Sequence, residues 1–248
     1  MSIIIFILII CIIVISHEMG HFLLAKANGI TVREFFIGMG PTLCSFQKGG
    51  TKYSVKLFPV GGACVFEGED GKEEEDEEGG VRPLSEGAFP NAGVWARIST
   101  VVAGPVFNFI LAYLLALVIV GTTYSDKPVV QDVIAGFPAQ EAGMQAGDLI
   151  TRLDGERVYL SREIGLITTI RQGETLDVEY ERDGVIYETT LTPRMDEESG
   201  RYLLGFQGYA EYFQCSPLQV FQYGYYEVRY GLKATVKSLQ MLVQGKAD

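Results

Sequence analysis

The chain has two histidines, His17 and His21, set one helical turn apart in the run His17-Glu18-Met19-Gly20-His21. On a helix, positions i and i+4 face the same way, so both imidazoles can grip one Zn²⁺ while Glu18 reaches a water on the metal. Hydrolysis of a peptide bond is the chemistry these groups perform together. Their setting narrows it. The apolar stretch Ile3 to Ile15 precedes the run and Phe22-Leu23-Leu24-Ala25 follows it. Ionisable groups inside membrane-type sequence are costly and mark function.

Such groups need a rigid carrier, and the composition supplies one. Of the 248 residues, 48% are apolar, and mean hydropathy is positive, +0.18. The apolar residues concentrate in 3–27 and 98–121, each long enough at about 1.5 Å per residue to cross roughly 30 Å of hydrocarbon. Two spans are expected, with 1–28 carrying the zinc motif. The first is read as retained rather than cleaved: only Ser2 separates Met1 from the apolar run, which leaves no basic leader, and no small-x-small cleavage pattern follows.

The net charge of −11 comes largely from one acidic run, Glu67 to Glu78. Like charges repel and nothing in the run can be buried, so 67–97 reads as a solvated loop. With no basic stripe, a nucleic-acid partner is excluded. Cys11, Cys44, Cys64 and Cys215 lack CxxC spacing and read as packing or surface residues.

Between the spans, 29–66 reads as a β-hairpin. Phe36 to Pro41 is a glycine-rich turn, and Tyr53, Val55 and Leu57 alternate with Lys52, Ser54 and Lys56 before the chain closes on Gly61 and Gly62. Either this is an ordinary soluble loop, or, beside a metal site, its strand edge holds an extended peptide by backbone hydrogen bonds. Asn108 in the second span needs a polar partner within the bilayer, either another helix or the substrate.

Residues 127–208 read as a separate α+β domain of short strands with an amphipathic helix over 160–170 and a hairpin through Asp183-Gly184. The tail, 216–244, opens on the cap Ser216-Pro217 and forms an amphipathic helix rich in tyrosine. It is read as lying at the membrane interface rather than as a third span.

Together these pieces resemble the site-2 protease family of intramembrane zinc metalloproteases, in the bacterial regulator-of-sigma-E protease type with one PDZ domain. The resemblance is carried by the His17 to His21 helix, Gly38-Met39-Gly40-Pro41, Pro59-Val60-Gly61-Gly62, Gly104-Pro105 with Asn108, and Pro138-Ala139 through Asp154-Gly155. It implies a membrane α-helical fold of two spans with a re-entrant β-hairpin between them, a PDZ-like domain and a C-terminal amphipathic helix. It also implies Zn²⁺ on His17 and His21, Glu18 as general base, and a membrane-spanning protein substrate such as an anti-sigma factor or a remnant signal peptide. Tyr53, Val55, Leu57, Gly61, Gly62 and Asn108 would hold that substrate.

Leu204, Gly205 and Phe206 would receive peptide termini, although a hydrophobic-glycine-hydrophobic triplet also suits a packed strand end. The expected location is the bacterial inner membrane, multi-pass, with the PDZ-like domain on the extracytoplasmic side. The family takes its third zinc ligand from the aspartate of a Leu-Asp-Gly motif in a later membrane helix. Leu153-Asp154-Gly155 has those letters but reads as a hairpin turn, so the chain is expected to be C-terminally truncated or else impaired. The competing function is a non-enzymatic membrane adaptor with a vestigial metal motif.

Overall fold

The computed structural model describes residues 2–69, 74–75, 81–171, 173–197 and 200–245. The chain forms two compact units, Met1–Ala112 and Tyr113–Asp248, with one helix running through the boundary.

In the first unit, α1 (Ser2–Ala27) carries the histidines. It stops at Gly29, whose φ of 72° is open to glycine. The Ile30 N–H donates back to the Ala25 carbonyl at 2.8 Å and the Gly29 N–H to Lys26 at 3.2 Å, a Schellman closure. Two long strands follow, β1 (Val32–Lys48) and β2 (Thr51–Phe66), which pair antiparallel. Gly49 and Gly50, with φ of 58° and 77°, join them, the geometry of a type I′ turn.

This is more than a hairpin, because both strands are used twice. Glu34 to Ile37 lies against Gly62 to Val65 on one side and against Lys52 to Val55 on the other, while Thr42 to Lys48 pairs with Thr51 to Lys56. The lateral order is therefore 42–48, 51–56, 34–37, 62–66. The chain bends between lanes at Gly38, Gly40 and Gly61, all at φ near 90°, so the expected 36–41 turn is a bend inside β1. Phe35, Cys64 and Phe66 are buried with Ile30, Val32 and Ala25, and Met19 and Phe22 of α1 close over them. The sheet thus braces the helix turn that holds Glu18 and His21.

At Glu67, its first residue, the acidic segment differs from a solvated loop. Glu67 is buried and accepts hydrogen bonds from Arg33 at 2.8 Å, from the Ser85 N–H at 3.1 Å and from the Ser85 hydroxyl at 2.6 Å. Burial pushes its carboxyl up, but the Ser85 bonds and Arg33 outweigh that and hold it below the ordinary value. Residues 70–73 and 76–78 of the run lie outside the described residues. The short strands β3 (Glu74–Glu75) and β4 (Val81–Arg82) pair within this segment. A 3₁₀ turn, Phe89–Asn91, then leads into α2 (Val94–Thr122), which begins a turn before the expected 98. Both α1 and α2 are long and apolar enough to cross a membrane.

The second unit is built on a four-stranded sheet of β6 (Leu149–Leu153), β7 (Glu156–Arg157), β8 (Leu176–Arg182) and β9 (Val185–Leu191), in the order β7-β6-β8-β9. Between β7 and β8 lies α4 (Arg162–Arg171). The core comprises Val130, Met144, Ile150, Leu153, Ile164, Leu176, Val178 and their neighbours. Shorter elements complete it: β5 (Ser125–Lys127) pairs with β12 (Glu211–Phe213), β10 (Arg194–Asp196) pairs with β11 (Arg201–Leu203), and α3 (Pro138–Glu141) follows residues 128–134. That segment is tied in by the isolated bridges Val129 to Leu149 and Val133 to Phe206.

The last element, α5 (Pro217–Val243), opens with the Ser216 N–H donating to the Gln219 side chain at 2.9 Å. Its charged face points inward. Glu163 of α4, with no exposed surface, accepts from Arg229 and Lys233 at 2.9 Å each, and Glu156 bridges Lys233 and Lys237. The apolar side, Phe221, Tyr225, Leu232, Val236, Leu239 and Leu242, is left exposed. Within this unit α5 also packs on the last turns of α2: the Tyr113 hydroxyl donates to the Phe221 carbonyl at 3.1 Å. Gly224 lies so close to α2 that a Cβ on it would come 2.7 Å from Leu117.

Candidate active site

α1 and α2 cross where both have small residues. A Cβ on Gly20 would stand 2.5 Å from the Ala103 carbonyl oxygen, so Gly20 lets the backbones touch. The Ser16 hydroxyl donates to the Phe107 carbonyl at 3.2 Å, and Asn28 donates to Ser99 at 3.0 Å. Along this seam α2 presents Thr100, Gly104 and Asn108, four residues apart and hence on one face.

The histidine rings lie 4.8 Å apart, nearly perpendicular. Gly104 stands opposite both. A Cβ built there would lie 2.4 Å from His21 Nε2 and 2.7 Å from His17 Nε2. Both nitrogens therefore look into one small space that exists because residue 104 is glycine. Zinc-to-imidazole bonds run about 2.0–2.1 Å, so a Cβ there would crowd any ion that both nitrogens held.

The far side of each ring is held by α2. His21 Nδ1 is 2.8 Å from the carbonyl oxygen of Thr100, a fully buried residue. A carbonyl only accepts, so Nδ1 carries the proton and the Nε2 lone pair faces the space. His17 Nδ1 is 3.3 Å from Asn108 Nδ2, and Asn108 Oδ1 is buried without a hydrogen-bond partner. Amide oxygen and nitrogen exchange by a half-turn of the side chain. In the turned amide Oδ1 accepts from His17 Nδ1–H, and both histidines then share the tautomer that leaves Nε2 free for a metal. Nδ2 becomes a free donor.

Among the described residues no third His, Cys, Asp or Glu completes a metal-holding group with the pair. The donor set is two imidazoles, one fewer than the three protein ligands usual for catalytic zinc. Asp154 lies in the second unit, at φ 52° in the turn between β6 and β7, and pairs with Arg171.

The hairpin residues divide between two environments. Gly62 comes beside the motif: a Cβ there would stand 3.5 Å from Glu18 Cγ and from Val14 Cγ1, and only 2.9 Å from the Phe36 carbonyl oxygen. Gly61 is the bend before it. Tyr53 stacks on Phe46 at 5.0 Å and faces Phe22 at 5.9 Å. Tyr53 and Val55 pair with a strand on each side, Tyr53 with Phe46 and Phe35, Val55 with Cys44 and Ile37. Their backbone has no open edge for a further strand, which removes the reason for expecting peptide there. Leu57 is half exposed beyond those pairs. The lane that keeps a free edge among the described residues and also reaches Glu18 is Gly62 to Val65.

The chain belongs to peptidase family M50. The family model matches residues 5–248. Relatives bearing the name "Putative zinc metalloprotease" come from Clostridium acetobutylicum, 32% identical over 100% of this chain and 70% of the relative, and from Clostridium perfringens, 31% identical over 95% and 67%. One from Mesorhizobium japonicum is 34% identical over 78% of this chain and 55% of its own length. Among solved structures, the PDZ domain of an SdrC-like protein from Listeria monocytogenes matches 32% of this chain and 83% of its own, at 27% identity and a TM-score of 0.29.

In this M50 chain the second unit also has a groove, a cavity of about 730 Å³ between α4 (Ile164, Gly165, Thr168) and Leu204 to Phe206. Gly205 adopts φ 95°, and a Cβ on it would strike Phe137 at 2.3 Å. The carbonyls of Leu204 and Gly205 accept from Ala139 at 2.9 Å and Ile134 at 2.8 Å. Leu204 is buried in the core while Phe206 packs at its margin.

Sequence reading missed Thr100. It acts through its backbone carbonyl, so its side chain gives no sign of the role. Its spacing of four from Gly104 and eight from Asn108 was the available signal.

Proposed function

We propose that this protein is a zinc-dependent endopeptidase that cuts single-span membrane helices, with regulatory proteins and remnant signal peptides as the substrate class. The observation carrying this reading is the shared space in front of Gly104, faced by Nε2 of both His17 and His21. Those two residues would hold zinc. When bound, the ion supplies Lewis acidity to a peptide carbonyl and makes water more acidic.

The rest is the work of the chain. The Thr100 carbonyl and the Asn108 amide fix the histidine tautomers. Glu18, one residue from the first histidine, takes the proton of the attacking water and passes it to the leaving amide nitrogen. A helical substrate must unwind before its carbonyls can be reached, and an unwound segment needs partners for its freed N–H and C=O groups. The edge Gly62 to Val65, beside Glu18, offers those partners in extended form, while the free Asn108 donor helps position the peptide.

Two further assignments accompany this reading. The exposed residues Met39, Leu43, Phe46 and Phe58 suit a hairpin dipping into the bilayer, and the exposed side of α5 suits the membrane interface. The groove at Gly205 accepts peptide termini outside the membrane. The expected location is a bacterial inner membrane.

Cleavage of a single-span reporter helix in proteoliposomes, with zinc supplied, tests the proposal. The wild type should cut and Glu18→Gln should not. Equal cutting by the two would refute it.

A further inference from the structure

Among the described residues Arg97 is a cation without a counter-charge. It lies in the first turn of α2, its Nε is buried with no hydrogen-bond partner, and its guanidinium makes no ion pair among the described residues. The residue as a whole is only partly buried, so the rest of its guanidinium is open to an anion, which would offset the cost of the unpartnered Nε.

The surroundings describe that anion. A cavity of about 360 Å³ is lined by Phe89, Val94, Arg97, Ile98, Val101 and Val102. The five helical residues are spaced i, i+3, i+4, i+7 and i+8, a single face of α2 running for about 12 Å. Arg97 is the one polar side chain on that lining. At the same level of α2, though outside that lining, Trp95 is 82% exposed, and tryptophan marks the headgroup level of a membrane. A peptide entering this cavity would bring backbone amides that find no partners there. A hydrocarbon chain needs none.

We propose that Arg97 binds the phosphate of an anionic phospholipid, one acyl chain of which lies along Ile98, Val101 and Val102. The site rests on reading α2 as a membrane span and is independent of catalysis. It tethers the end of α2 from which Thr100, Gly104 and Asn108 reach the histidines.

The test is native mass spectrometry of the full 248-residue chain in detergent, titrated with dioleoyl phosphatidylglycerol, dioleoylglycerol and inorganic phosphate. Wild type should retain one phosphatidylglycerol, Arg97→Gln and the cavity-filling Val101→Trp should bind it at least tenfold more weakly, and Arg97→Lys should stay within about threefold. Three results overturn the site: undiminished binding by Arg97→Gln, equal binding of dioleoylglycerol, or full displacement of the lipid by inorganic phosphate. Carbonate extraction of the same chain tests the span separately. A chain that stays in the membrane yet binds no phosphatidylglycerol refutes the lipid site alone.

Discussion

Gly104 faces His21 so closely that a β-carbon on it would stand 2.4 Å from Nε2. The space in front of the histidines is therefore made by α2. Gly104→Ala is expected to reduce bound zinc to background while leaving the thermal unfolding of the second unit unchanged. Zinc analysis beside a melting curve checks this, and zinc content equal to wild type would show that the ion sits elsewhere.

Asn108 makes a subtler prediction. In the turned amide it accepts from His17, so Asn108→Asp, which also offers an acceptor, should keep zinc. Asn108→Leu should weaken zinc binding by about 10–100-fold, as loss of an outer hydrogen bond to a ligating histidine does. Zinc titration against a competing chelator separates the two. The reverse ranking would mean that Asn108 donates to His17.

Glu163 joins α4 to α5. Replacing it with Gln leaves Arg229 and Lys233 without their buried partner and should cost about 3 kcal/mol of stability in the second unit, read as a lowered denaturation midpoint.

The same residue sets an acid limit. Burial pushes the Glu163 carboxyl up, but bonds from the Tyr159 N–H, Lys233 and Arg229 outweigh it and hold it below the ordinary carboxylate value. A depressed carboxylate contributes stability above its unfolded pKa and loses it as pH falls through the folded one. The wild type should therefore weaken below about pH 4.5, and Glu163→Gln should lose part of that dependence in pH-dependent melts.

Local signals were legible in the sequence. The His17 to His21 spacing, the stop at Gly29 and the Asp183-Gly184 turn each depend on neighbours in the chain. Partners at long range were not. Alternation in Tyr53, Val55 and Leu57 shows a strand but not how many neighbours it has, and at Tyr53 and Val55 both of its sides proved occupied. The buried state of Glu67 was hidden because Arg33 and Ser85 reach it from distant positions. The pattern of α5 suggests two faces, but only Glu163 and Glu156 reveal that the charged face turns inward.

The most direct measurement is the zinc content of the purified chain reconstituted in lipid, compared with His17→Ala, His21→Ala and Glu18→Gln. About one zinc per chain is expected for the wild type and for Glu18→Gln, and background for both histidine variants. Zinc retained after loss of either histidine, or lost on replacing Glu18, would contradict a metal held by His17 and His21 with Glu18 as its base.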